Sequence, residues 1–162
     1  MIIGLSIENF TILHVIISLI AIASGLIVLA GMLRARRLPG WTALFLVTTI
    51  LTSVTGFMFP ISGLTPGIVS GLISIVILVI ALNALYVKHL AGAWRWIYVT
   101  TALIALYLNV FVLIVQSFQK VPALQKLAPT QSEPLFSVTQ GVVLVPFLIL
   151  GIMAARRFRP TP

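Results

Sequence analysis

The chain has 162 residues, of which 60% are hydrophobic and only 7% charged, and its net charge is +8. A soluble domain carries roughly 25% charged residues, and a single domain of this length has no interior large enough to hide so much apolar surface, so the composition excludes a soluble globular protein and points to lipid. The basic residues fall in short clusters between apolar runs, without a basic stripe interleaved with aromatics, which argues against nucleic acid as a partner, and the absence of cysteine excludes disulfides, thiolate metal sites and thiol catalysis.

Five stretches contain no Lys, Arg, Asp or Glu: about Asn9–Leu33, Trp41–Phe59, Ile68–Val87, Trp96–Phe118 and Leu135–Ala155. About 20 apolar residues cross the roughly 30 Å of hydrocarbon as a helix. A spanning barrel needs alternation with polar positions, which these solid runs lack. The predicted fold is therefore all-α, a single transmembrane domain over residues 1–162 built as a five-helix bundle. The first run is too long for a signal-peptide core and closes on Arg34, Arg36 and Arg37, so it is expected to remain as a helix.

The connections carry turn chemistry. Arg34 to Gly40 joins the first pair of helices, Pro60 to Gly67 is an uncharged Pro/Gly hairpin, and Lys88 to Arg95 joins the third and fourth helices. The longest connection, residues 119–134, holds Pro122, Pro129 and Pro134 and reads as a loop. One flank of the bundle carries Arg34, Arg36, Arg37, Lys88, Arg95, Arg156, Arg157 and Arg159, and the other carries Lys120, Lys126 and both acids, Glu8 and Glu133. The positive-inside rule makes the arginine flank cytoplasmic, with the N-terminus outside and the C-terminus inside. Trp41, Trp94 and Trp96 mark that same interface. Leu38-Pro-Gly40 with Val47-Thr-Thr49 recurs 52 residues later, as Leu90-Ala-Gly92 with Val99-Thr-Thr101, which raises a duplicated hairpin as an open alternative.

Polar groups inside a membrane are costly, so they are the first candidates for a site. His14 reads either as a haem ligand, metal ligand or proton carrier, or more plainly as a neutral ring bonded to a neighbouring helix. His14 and His89 lie near opposite faces, roughly 20 Å or more apart at 1.5 Å rise per residue, which rules out one haem between them. His14 with Met58 is the pair that survives as haem ligands, although methionine also serves as an apolar gap-filler. Asn109, Gln116 and Gln140 fall at a depth similar to His14 and Thr55, and these five with Glu133 of the loop are the candidate ligand-binding residues. Interhelical hydrogen bonding is the alternative for each. Thr48, Thr52 and Thr55, beside Thr49, Ser53 and Gly56, give the second helix a hydroxyl face, and Ser70 and Ser74 with Gly67 and Gly71 do the same for the third. Both suit close packing or, more sharply, an ion path. No resident metal is expected.

The chain contains no Asp, no glutamate inside a helix, and no HExxH, GxSxG or phosphate-cradling glycine loop, so a stand-alone enzyme is not expected. The segments Leu51-Thr-Ser-Val-Thr-Gly-Phe-Met-Phe-Pro60, Trp94-Arg-Trp-Ile-Tyr98 and Leu124 to Pro134 resemble those of small five-helix bacterial inner-membrane proteins of hypothetical-protein type, a likeness over nearly the whole chain. The architecture is also similar, more loosely, to small membrane cytochrome b subunits, from which it departs by lacking paired histidines at equal depth. The expectation is a non-enzymatic accessory subunit or binder of a small or lipophilic ligand at an outward-facing polar pocket. The alternatives are an electron-transfer subunit holding haem or quinone near His14, and a small transporter or channel. No cofactor is required by the sequence. Anionic lipids at the basic rim, a membrane-complex partner and a second copy of the chain are the expected partners.

Overall fold

The computed structural model describes residues 1–60 and 63–159. Ile61 and Ser62 of the predicted hairpin lie outside the described residues, as do Pro160, Thr161 and Pro162. The helices are α1 (Ile7–Leu33), α2 (Pro39–Phe57), α3 (Pro66–Leu82, continued by a π-helical turn over Asn83–Val87), α4 (Trp94–Lys120), the short α5 (Pro122–Leu127) and α6 (Pro134–Arg157). Five of them, all but α5, are long and apolar enough to cross a membrane.

Local chemistry sets the ends. The Ser6 side chain accepts from the Asn9 N–H at 3.2 Å and starts α1 two residues before the apolar run. Prolines stand at the first turn of α2, α3, α5 and α6, where a missing N–H costs nothing. Thr65 caps α3 by accepting from the Ile68 N–H at 3.3 Å. α3 ends in the π-helical turn, and His89 and Leu90 then take left-handed backbone, with φ of 48° and 61°. The proposed repeat is not reproduced in the turns: Pro39 and Gly40 open α2, whereas Gly92 sits at φ 52° in the turn before α4.

α1 packs along α2, α2 against α3, α3 against α4 and α4 against α1, closing a four-helix ring, with α6 resting on the seam of α4 and α1. We call the end bearing Arg34 to Arg37 the arginine end and the opposite one the hairpin end. The apolar core fills the arginine half: Phe45, Leu46, Leu78, Val99, Leu106 and Tyr98 are among its fully buried side chains. Ala81, Ala84, Ala102 and Ala105 let the backbones approach there. The outward faces are apolar throughout, with Val76 62% and Val142 65% exposed, surface that only a hydrocarbon solvent tolerates at this extent.

Candidate functional site

At the hairpin end the ring of α1 to α4 opens around a cavity of about 320 Å³. Helical spacing explains its wall. Thr11, His14 and Ser18 recur at i, i+3 and i+7 on one face of α1, Thr52 and Gly56 at i and i+4 on α2, Ser70 and Ser74 likewise on α3, and Asn109, Gln116 and Lys120 along one face of α4. Glycines keep the wall thin: a Cβ on Gly56 would meet only His14 Cε1, at 3.7 Å.

His14 is anchored by its Nδ1, 2.7 Å from Thr55 Oγ1, and its ring stands edge-on to Phe59 with centroids 5.4 Å apart. The Thr55 hydroxyl lies 2.7 Å from the Leu51 carbonyl, to which it donates its one proton. While it does so it can only accept from His14, the arrangement in which the ring proton is on Nδ1 and Nε2 is a lone pair. Among the described residues Nε2 has no hydrogen-bond partner, and His14 lines the cavity. Thr11, Ser18, Thr52 and Ser53 are engaged like Thr55: each donates to the carbonyl four residues earlier, at 2.8, 2.8, 2.9 and 3.1 Å. They turn lone pairs toward the cavity.

The α3–α4 wall is different. Ser70 and Ser74 make no hydrogen bond among the described residues. The Asn109 amide donates one proton to the buried Thr49 hydroxyl at 3.2 Å and keeps a second. Gln116 and the Lys120 ammonium complete that side, and among the described residues no carboxylate lines the cavity.

The structure therefore brings His14, Thr55, Asn109 and Gln116 of the candidate residues together, with Thr55 acting behind His14. It places two elsewhere. Gln140 reaches from α6 toward the Phe111 carbonyl at 3.5 Å, in the seam between α4 and α6. Glu133 organises the loop, its Oε1 accepting from the Thr130 N–H at 3.0 Å and the Thr130 hydroxyl at 2.8 Å. Desolvation pushes that carboxyl upward, but the Thr130 donors outweigh it and hold it below the ordinary glutamate range. Met58 follows α2, is 37% exposed and lies outside the cavity wall, so it does not share the cavity with His14. His89 lies at the arginine end, in the turn after α3. No cluster of three or more metal-ligating side chains occurs among the described residues.

Sequence reasoning does not assign Ser18 or Lys120 to the site, and it reads Ser53, Ser70 and Ser74 as packing residues or an ion path. It also misses Gln131, which pins the loop to α4 by donating to the Val115 carbonyl at 2.9 Å. A second cavity, about 340 Å³, lies at the arginine end and is walled by Arg36, Arg37, Thr42, Tyr86, Tyr98 and Phe158. Comparison of the chain with protein-family models, curated proteins and solved structures returned no match.

Proposed function

We propose that this multi-pass protein of a bacterial cytoplasmic (inner) membrane is non-enzymatic and holds a small or lipophilic ligand in a polar pocket facing outward, alone or as an accessory subunit of a larger complex. The observation that carries this reading is the hairpin-end cavity, into which four helices converge polar side chains inside an otherwise apolar bundle. Its volume is at the lower end of the roughly 300–1,000 Å³ at which small ligands are held. An unpaired polar group in hydrocarbon is costly, and a cluster of them calls for an occupant. The buried side chains of Phe45, Leu46, Val99 and Leu106 lie between this cavity and the arginine end, which favours binding over conduction.

Gly56→Leu tests this reading, because its side chain grows into the cavity over His14 while Leu improves the helix by roughly 0.8 kcal/mol relative to Gly. Mass spectrometry of gently purified wild-type protein is expected to find a small molecule that a folded Gly56→Leu variant does not retain. Equal loads in both, or a wild type that neither carries nor takes up any small molecule from a membrane extract, would refute the pocket.

The orientation rests on the arginine clusters. A reporter fused after Arg37 is expected to lie in the cytoplasm and one fused after Lys126 outside it. Both in one compartment would overturn the outward-facing site. The arginine-end cavity, with Arg36 and Arg37 at headgroup depth, is then the place where anionic lipids would gather, each basic residue contributing about 1 kcal/mol near a charged surface.

A further inference from the structure

We infer that the hairpin-end cavity selects a neutral lipophilic ring bearing a hydroxyl, a phenol or quinol, over the matching ether or quinone, because His14 presents a lone pair rather than a proton. The inference rests on the reading of that cavity as a ligand site and adds the chemistry of the ligand.

Counting protons assigns a direction to each bond. Thr55 has one; directed to the Leu51 carbonyl, it leaves His14 to donate from Nδ1 and the free Nε2 to accept. Thr11, Ser18, Thr52 and Ser53 direct their own protons to backbone carbonyls and extend the accepting wall along α1 and α2. Across the cavity, Asn109, Gln116 and Lys120 still have protons to give. A hydroxyl group suits both walls at once, because it donates to Nε2 and accepts from the α4 side. An ether or ketone accepts only, and leaves Nε2 unpaired.

Charge narrows the class. An ammonium ligand would satisfy Nε2 but would meet Lys120 at the rim and find no carboxylate among the described residues of the wall. An anion would face the lone pairs of α1 and α2. The same absence of a carboxylate argues that the imidazole itself is neutral. Lipophilicity follows from the remainder of the wall, which includes Phe57, Ile68, Leu108 and Val112. Val15 and Leu19 line the cavity and are 42% and 47% exposed, which suits entry of a ring from the side of α1.

The test uses the full chain in lipid nanodiscs with para-hexylphenol and its methyl ether, a pair of nearly equal shape that differs in one donor. The phenol is expected to bind about tenfold more tightly, equivalent to about 1.4 kcal/mol, and a short-chain quinol is expected to exceed its quinone in the same sense. His14→Phe should bring the ratio to about one. Thr55→Val keeps the imidazole but removes the acceptor that fixes its proton on Nδ1; the ratio should then fall to one or invert, and inversion is what a purely structural defect would not produce. Nitrogen NMR of the histidine rings reads the tautomer directly, since the chain has only two histidines. Equal binding of both probes, blocked by Gly56→Leu, would overturn the donor inference and leave the pocket standing. The donor inference also falls if neither probe binds while a membrane extract still loads the cavity. Binding that Gly56→Leu does not diminish would remove the pocket together with the inference.

Discussion

Gly25→Val is expected to collapse the bundle at its waist. At Gly25, α1 packs tightly against side chains of α2 and α4: a Cβ there would stand 2.6 Å from Leu106 Cδ1 and 2.9 Å from Phe45 Cδ2 and Cε2. Real Cβ atoms do not approach carbon so closely, so something must move. Phe45 and Leu106 are each 1% exposed and have no free volume to swing into. Overpacking of this kind costs about 1–3 kcal/mol per inserted group, and valine adds two further methyls to the clash. We expect a loss of roughly 3 kcal/mol or more, about ten degrees in thermal midpoint at this chain length. The readout is thermal unfolding in detergent followed by the monodispersity of the sample. Gly56→Ala is the control: its nearest contact would be an ordinary one at 3.7 Å, and it should leave the midpoint unchanged or slightly raised. A Gly25→Val protein as stable as wild type would mean that the three helices do not meet as described.

The waist also explains why the interior divides into two unlike halves. Below it, alanines, branched side chains and the aromatics Phe45 and Tyr98 form the apolar core of the ring. Above it, the positions that would continue the core are hydroxyls, amides and glycines, whose small volumes cannot close the gap between four helices. Missing apolar volume and convergent polar groups are therefore one feature seen twice, and the cavity is its consequence.

Much of this is legible in the sequence, because depth in a membrane is a matter of counting residues. The five apolar runs locate the spanning helices, and the structural ends differ from them by a few residues where polar caps and first-turn prolines, rather than hydropathy, decide. α5 falls where the sequence reads as loop, since six residues opened by Pro122 leave no hydropathic signature of their own. The same counting places His14, Thr55, Asn109 and Gln116 at one level, and the ring of helices joins them. What counting cannot supply is rotation about the helix axis. Gln140 shares their depth yet faces the seam of α4 and α6, and Ser70 and Ser74 face the cavity although a serine in an apolar helix reads equally well as packing. Rotation is fixed by which neighbours each helix acquires, and one amphipathic stripe is not visible in a helix apolar on every side.

Arg95→Leu is expected to release α6 without emptying the pocket. No residue in the most apolar stretch of α6 is buried, and the helix leans on α4 and α1 rather than joining the ring. Aromatic pairs Phe118–Phe136 and Tyr107–Phe147 join it to α4 along its length, and its charged attachment is at the arginine end. There the Arg95 Nη1 donates to the Ala155 carbonyl at 3.0 Å and the Phe158 carbonyl at 2.5 Å, and Phe158 packs on Tyr98 with ring centroids 6.1 Å apart. The guanidinium also sits 5.2 Å from the Trp96 ring centroid. Arg95 thus satisfies carbonyls that a helix leaves open at its C-terminus, with the charge sign that the helix dipole favours. Hydrogen bonds from a charged donor contribute about 1.5–3 kcal/mol, so Leu at this position should cost roughly 2–3 kcal/mol, felt mainly by α6. Trypsin should then cut at Arg156 and Arg157 several times faster, while α1 to α4 stay intact. Arg95→Lys should restore little, because a single ammonium does not reproduce the planar fork of the guanidinium. Unchanged proteolysis would show that α6 is held by something other than this clamp. If the pocket lost its ligand together with α6, Gln140 would belong to the binding site after all; among the described residues the cavity is lined by α1 to α4 and the α2–α3 hairpin, with none from α6, so retention is the expected result.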